Sequence, residues 1–378
     1  MMTDVAISGV GMTDFESESD RRLLELAAVA AERALADSHH DSDEVTSIHV
    51  GNALTEALGT GTGIGNALVS ELGMEGVAVD RVENTSATGA SACHRGIQAV
   101  GSDQSEVALV VGVEKMSVAE TQEVTDAISQ LVHDREYAQG LTLPSFAGLA
   151  AGAYLDRYDA PREALGAVAA KNHRNGLANE FAQFQKEITV EEALSSPVVA
   201  DPLRLYDCCP MTDGAAAAVV SEDGPVDVAA ATSATGTHAV AERRDPLEID
   251  SVRTAGERAF EAAGLTPKEI DFACIHDAFT ILELLELEEL GFYDAGTAWE
   301  AALDGETAVD GEFPVNPGGG LKARGHPLGA TGLSQIVEVV WQLRGEASAD
   351  RQVPEADTGL AINVAGFGNN SVCTVIRA

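Results

Sequence analysis

The sequence predicts an α/β protein of layered sheets and helices, and three observations carry that prediction. Apolar runs of strand length alternate with stretches of helical periodicity along most of the chain. Val107–Gly112 is a continuous apolar strand, as expected where both faces of a sheet are covered. The same strand–helix alternation returns in the second part of the chain, as a repeat of architecture without a letter-by-letter match.

The elements follow in order. Val5–Gly11 alternates and reads as a strand, and Leu23–Asp37 is an Ala- and Leu-rich helix. Ser47–Leu54 is a strand, Gly61–Leu72 a helix, and Val77–Asn84 a strand with β-branched residues. Ser86–Val100 alternates small and apolar residues like a buried helix. From about Glu114 to Pro210 the chain is more polar, with helices around Leu149–Arg157 and Arg162–Gly176, and reads as an inserted loop domain. Strands resume at Ala215–Val220 and Val226–Ala231. Then come a helix at Ser251–Ala263, a short strand at Asp271–His276 and helices at Ala278–Leu290 and Gly329–Leu343. Gly359–Val364 and Val372–Ile376 close the chain as strands. The expected division is a first half over residues 1–220, with the loop domain at about 114–210 inserted, and a second half over 221–378.

Composition narrows the function. The 378 residues carry 23 Lys and Arg against 61 Asp and Glu, a formal net charge of −38. The carboxylates are spread through segments that read as folded, so this is not an acidic disordered tail. Distributed acidity with a normal apolar fraction reads as adaptation to molar salt, which screens the self-repulsion. The overall field opposes nucleic acid, and any polyanionic ligand needs local basic residues. Five cysteines, odd in number and without metal-type spacing, fit a reducing cytoplasm. The first residues do not read as a signal peptide, and no apolar run reaches the roughly 18 residues of a membrane span.

Four constellations carry chemistry, and none is a metal site or phosphate loop. Asn84-Thr85-Ser86-Ala87-Thr88-Gly89-Ala90 lies between a strand and a helix of small residues. A nucleophile there has backbone N–H groups and the helix dipole beside it, although Ser and Thr also serve as plain N-caps. Ile275-His276-Asp277-Ala278-Phe279 puts a histidine at a strand end, where ligands bind in α/β sheets. Asn316-Pro317-Gly318-Gly319-Gly320 runs into Gly325-His326-Pro327-Leu328-Gly329-Ala330-Thr331-Gly332, a histidine among glycines open to close backbone approach. Asn363-Val364-Ala365-Gly366-Phe367-Gly368 is a strand breaking into a glycine-rich turn that can aim N–H groups at an anion.

Together these segments resemble the thiolase superfamily, and the resemblance covers essentially the whole chain. Asn316–Gly332 is similar to that family's NP-x-GG … GHP-x-GATG signature. His276–Phe279 and Cys208-Cys209-Pro210 with Thr212–Ala217 resemble its archaeal and sterol-carrier-type branch, which includes β-ketothiolase subunits of salt-adapted archaea. The resemblance implies a five-layered αβαβα thiolase fold of two similar halves. It also implies coenzyme A thioester substrates, no metal in this chain, a homodimer or dimer of dimers, and a small zinc-ribbon/OB-fold partner. Such an enzyme could feed polyhydroxyalkanoate or isoprenoid synthesis.

Two positions depart from the family. Ser86 stands at the nucleophilic cysteine, and Asn363 stands where many thiolases have a second catalytic cysteine. Cys93 lies about two helical turns beyond Ser86 and cannot simply substitute. A helix dipole contributes roughly 0.3–1 kcal/mol, too little to ionise an alcohol, so Ser86 needs a general base in direct contact. By resemblance that base is His326. His276 then supports the thioester oxyanion or moves the α-proton. The backbone N–H groups of Ser86 and Ala365 are expected to form one oxyanion hole, with Asn363 and Gly366 completing the site. Arg204, Arg243, Arg244 and Lys171, scarce cations in or near the loop domain, are candidates for the phosphates of CoA. The expected activity is β-ketothiolase acyl transfer through an acyl-serine. A retro-aldol lyase acting on CoA esters and a non-catalytic scaffold remain open as alternatives.

Overall fold

The computed structural model describes residues 4–378. The start of the first half, and the reading of the extreme N-terminus, fall on residues 1–3, outside the described residues. The first half opens with β1 (Ala6–Met12), α1 (Leu23–Asp37), β2 (Ser47–Gly51), α2 (Ile64–Glu71), β3 (Ala78–Val82), α3 (Thr88–Gly101) and β4 (Ala108–Glu114). The insertion carries α4 (Thr121–Ser129), α5 (Asp134–Tyr137), α6 (Leu143–Tyr158), α7 (Glu163–Leu177) and α8 (Val190–Ser195). It ends in a small ribbon of β5 (Val198–Ala200) and β6 (Leu203–Arg204). The chain returns through β7 (Gly214–Ser221) and β8 (Val226–Thr235) to α9 (Asp250–Ala263), β9 (Phe272–Cys274), α10 (Thr280–Glu289) and α11 (Ala298–Asp304). It closes with α12 (Leu328–Leu343), β10 (Thr358–Ala365) and β11 (Asn370–Arg377).

The main strands lie in the order β3-β2-β4-β7-β1-β8-β11-β10-β9. The β1–β8 seam rests on two short pairings, Ala6 with Asp227 and Ile7 with Val226. Outward from it, each side repeats one pattern. On one side come β1, β7, β4, β2 and β3; on the other come β8, β11, β10 and β9, followed by Val315 bridged to Ala273. In both, the outer pairs are parallel, and the two strands nearest the seam are antiparallel to their neighbours. The architectural repeat read from the sequence thus has a topological counterpart.

Strand alternation explains the layers. Leu109, Val111, Ala215, Ala217 and Val219 pack against α1 and α2. Their neighbours Ala108, Val110, Ala216 and Ala218 face the other way, into a core shared with α3 and α12. Phe272, Cys274 and Ala361 close that same core from the second sheet side. Ala273, Leu360 and Ile362 turn outward to a third core with α9, α10 and the insertion. The result is helix, sheet, helix pair, sheet, helix: five layers, with α3 and α12 at the centre.

The centre is tight because glycine removes side chains where backbones meet. A Cβ on Gly332 would lie 2.3 Å from the Ala90 nitrogen, and one on Gly89 would lie 2.7 Å from the Gly329 oxygen. Several sequence-derived boundaries move, two of them beside the cavity that Ser86 lines. The strand expected to run to Leu54 stops at Gly51, because the N–H groups of Ala53 and Leu54 turn to the buried Glu114 carboxylate. The helix expected from Ser86 begins at Thr88, after a short turn over Thr85–Ala87.

Candidate active site

Ser86 owes its position to that turn. Thr85 sits at φ +46°, a left-handed conformation that a β-branched residue rarely adopts. Local bonds hold it there. The Thr85 N–H donates to Glu83 Oε1 at 2.7 Å, and Thr88 Oγ1 donates to the Thr85 carbonyl at 2.6 Å. The Asn84 amide reaches Ser91 Oγ and Asn370 Oδ1, each at 2.9 Å. Ser86 is thereby fixed at the N-terminal end of α3, where the helix dipole favours developing negative charge.

His276 follows β9, and its backbone N–H donates to Glu286 Oε2 at 2.8 Å. Next to it, Asp277 accepts the N–H of Leu321 at 2.7 Å and that of Lys322 at 3.2 Å, and the Asn172 amide at 2.8 Å. This ties the histidine segment to the glycine-rich one. Gly320, at φ +58°, leaves no room for a Cβ, which would stand 2.4 Å from Asp277 Oδ2. His326 enters next. Its N–H donates to Thr212 Oγ1 at 2.9 Å, and Gly325 before it sits at φ +119° against the same threonine.

The three side chains meet. Ser86, His276, His326 and Gly366 all line one cavity of about 150 Å³, whose walls are mainly apolar. The insertion contributes Leu143, Pro144 and Val199 to it. The two imidazole rings stand 5.1 Å apart at 87°. His276 Nδ1 lies 2.7 Å from the Asn363 amide nitrogen, which donates to it and leaves Nε2 carrying the proton. His326 Nδ1 lies 2.7 Å from Thr331 Oγ1, whose own hydroxyl donates to the Pro327 carbonyl. His326 Nδ1 is then the donor, and Nε2 is a free base. One histidine is arranged to donate and the other to accept.

Burial keeps both rings neutral. It pushes His326 down to about 3, with the Arg324 guanidinium adding to the effect. It holds His276 well below the usual imidazole range, with His326 contributing. Burial also raises Asp277 to about 6 and Glu286 well above the carboxylate range. Cys208 and Cys209 line the cavity too, but burial pushes both thiols up to about 12. Cys93, buried inside α3, is likewise pushed up to about 12. Neither cavity thiol is therefore poised to ionise and act as a nucleophile.

One expectation is not met. Ser86 and His326 share the cavity, but no hydrogen bond joins them; the His326 ring bonds to Thr331 through Nδ1. Asn363 and Ala365 are buried at the end of β10, Asn363 against His276 and Ala365 against Ala87 of the Ser86 turn and Ala90 of α3. The basic candidates stand outside the cavity. Lys171 Nζ is committed to Glu283 at 2.5 Å and to the Val315 carbonyl at 3.1 Å. Arg204 donates to the Ser196 carbonyl at 2.8 Å, and Arg244 pairs with Glu248 on the surface. Arg243 donates to the Phe367 carbonyl, lies over the Phe367 ring and stands beside Gly368.

Residues 5–224 match the model of the thiolase N-terminal domain, and residues 232–378 match that of the thiolase C-terminal domain-like family. The chain belongs to the thiolase family. This thiolase is 40% identical to the acetyl-CoA acetyltransferase of Methanothermobacter thermautotrophicus, over 98% of both chains. It is 32% identical to human sterol carrier protein 2, over 99% of this chain and 72% of that protein. In fold it is similar to the solved structure of an Ltp2-ChsH2(DUF35) aldolase, with a TM-score of 0.84 at 24% identity, covering 98% of this chain and 97% of that one.

The sequence reading passed over Thr331, Glu286 and Glu114. Thr331 stood inside the glycine signature, and its contact with His326 five residues back is visible only in three dimensions. Glu114, raised by burial to about 7, accepts the N–H groups of Ala53, Leu54 and Gly329 and anchors the start of α12. Its only sequence signal was an acidic residue ending a wholly apolar strand.

Proposed function

We propose that this thiolase is an acetyl-CoA acetyltransferase, a β-ketothiolase that joins two acyl-CoA molecules into a 3-ketoacyl-CoA or runs the reverse thiolysis. The observation that carries the reading is the convergence of Ser86, His276 and His326 on one apolar cavity. Relatives named acetyl-CoA acetyltransferase, 36–40% identical over 98% of this chain, support it.

In the first half-reaction His326 Nε2 takes the Ser86 proton as Oγ bonds to the thioester carbon. The carbon–sulfur bond breaks, and the proton leaves with CoA as its thiol. In the second, His326 Nε2 removes an α-proton from acetyl-CoA, and the carbanion bonds to the acyl-serine carbon. The Oγ–carbon bond breaks and Ser86 recovers its proton. The His276 Nε2–H stabilises the enolate oxygen, while the Ser86 and Ala365 N–H groups take the tetrahedral oxyanion. Without substrate the serine has no base within bonding distance, so a bound acyl thioester must close the gap. For the CoA phosphates Arg243 and Arg244 are the better candidates. Their segment meets the C-terminal loop through the Gly236 N–H on the Asn369 carbonyl at 2.8 Å.

The division at 220/221 belongs to this proposal, supported by the mirrored strand order. So does a homodimer, supported by β3 ending its sheet with one edge unpaired among the described residues. A small OB-fold partner is supported by the likeness in fold to the Ltp2-ChsH2(DUF35) aldolase, whose name couples two components. Salt adaptation is supported by the net charge of −38, and a cytoplasmic setting by five free cysteines.

The test is thiolysis of acetoacetyl-CoA by the purified chain in molar KCl, with and without the product of the neighbouring gene. Ser86→Ala is expected to lose on the order of 10³-fold or more in kcat. Mass spectrometry is expected to find an acetyl group on Ser86. Full turnover by Ser86→Ala overturns the acyl-serine. Cleavage of a 3-hydroxyacyl-CoA without acyl-enzyme turns the assignment to a lyase.

A further inference from the structure

His39 and His40 follow the C-terminal end of α1. Adjacent residues ordinarily point apart, but Ser38 turns the backbone here. Its Oγ donates to the Leu35 carbonyl at 2.9 Å and accepts the His40 N–H at 3.2 Å. The two imidazole rings end up with centroids 4.1 Å apart. Opposite them is Asp223, on the turn between β7 and β8. Ser221 Oγ donates to the Asp223 carbonyl at 2.7 Å. Gly224 presses so close to β1 that a Cβ would lie 2.8 Å from the Ile7 oxygen. Asp223 Oδ2 stands 3.6 Å from His39 Nε2. One ligand atom from each of the three residues falls within 4.8 Å of the other two, the one such group of His, Cys, Asp and Glu side chains among the described residues.

A second observation is independent of this proximity. Both ring nitrogens of His40 are shut off from solvent, and neither makes a hydrogen bond. The side chain is only 11% exposed, and its nearest carboxylate, Glu44 Oε2, is 3.7 Å away and already accepts the Asp41 N–H. An imidazole buried with both nitrogens unsatisfied costs free energy, and native structures rarely leave such groups without a partner.

We propose that His39, His40 and Asp223 bind one divalent transition-metal ion of the zinc type. Two imidazoles and a carboxylate suit zinc, whereas magnesium and calcium favour all-oxygen shells. Ligand atoms around a tetrahedral zinc lie about 3.3 Å apart, given bond lengths of about 2.0–2.1 Å. The present spacing needs only a small closure. The moving partners can make it, since the His39 and Asp223 side chains are 51% and 81% exposed. Water, or Glu44, fills the remaining position. None of these residues lines the Ser86 cavity, so the ion takes no part in acyl transfer. It clips the end of α1 to the β7–β8 turn, beside the seam where the two sheet halves join.

The experiment uses the full chain, stripped with a chelator and held in molar KCl. Zinc chloride is titrated by calorimetry, and cobalt chloride by the visible absorption of bound Co²⁺. One saturable equivalent is expected, absent in His40→Ala and weakened at least tenfold in His39→Ala and Asp223→Asn. Zinc is expected to raise the Tm of the wild-type chain by a few degrees and to leave that of His40→Ala unmoved. Acetoacetyl-CoA thiolysis is expected to be equal in wild type and His39→Ala, which separates this site from the acyl-transfer reading. Uptake that persists undiminished in both histidine variants is diffuse carboxylate binding and overturns the proposal. Absence of saturable uptake overturns it equally. The His39 side chain is 51% exposed and packs on the His40 ring outside the hydrophobic cores, so its variant is expected to fold and keeps the comparison decisive.

Discussion

Ser86 stands one residue beyond a threonine forced to positive φ, at the start of α3, and faces two histidines of opposite hydrogen-bonding sense. Thr331 sets that sense for His326 by accepting its Nδ1 proton. Thr331→Val is therefore expected to lower kcat by about tenfold or more with little change in KM, and Thr331→Ser to restore it. Steady-state thiolysis checks both. Burial, with Arg324 behind it, brings His326 down to about 3. A base must be unprotonated to act, and His326 stays so far below the ordinary imidazole range of about 6.5. The kcat/KM profile is then expected to show no acid limb near pH 6.5, the rate falling only as the pH approaches that low value. A limb near 6.5 would mean that the active base is solvated. The nucleophile turn and both histidines were legible in the sequence as short motifs. Their protonation roles were not, because these depend on Asn363 and Thr331 meeting the rings across the fold.

At the level of elements, the pairing of α3 with α12 decides whether the site exists. Glycines at 89, 329 and 332 let the two backbones approach, and the approach carries His326 over the nucleophile turn. Gly332→Ala places a Cβ 2.3 Å from the Ala90 nitrogen and 2.5 Å from Asn363 Oδ1. It is expected to cost about 1–3 kcal/mol or more and to impair turnover, as read by denaturant unfolding and thiolysis at constant salt. Gly152→Ala in α6 is the matched control. Its Cβ would meet nothing nearer than 3.7 Å, so a gain of up to about 1 kcal/mol is expected from helix propensity. The period-2 and period-3.6 patterns foretold β1, α1 and α9, and the unbroken apolar run foretold β4, to within a residue or two. The short helices of the insertion, α4, α5 and α8, went unseen, because a turn or two of amphipathic helix leaves too few residues to show a period.

For the whole molecule, the net charge of −38 is the dominant feature. Screening over roughly 3 Å at 1 M salt, against about 10 Å at 0.1 M, should relieve the repulsion among surface carboxylates. The Tm is expected to rise steeply from about 0.1 M to molar KCl and to rise less in NaCl-free sucrose, which leaves charges unscreened. Calorimetry at matched protein concentration makes that comparison. A Tm indifferent to salt would remove the case for salt adaptation.

By itself the sequence determined the layered α/β class, the inserted segment, the acidic character and the identity of the groups that reach the cavity. These are local or compositional properties, written in hydrophobic period, glycine placement and charge count. Only the tertiary structure decided how each candidate cation is engaged, which histidine donates and which accepts, and that Ser86 has no base at hydrogen-bonding distance. The same holds for the pairing of His39 and His40 with Asp223. Each depends on contacts between residues far apart in the chain, and packing geometry, not residue type, chooses those partners.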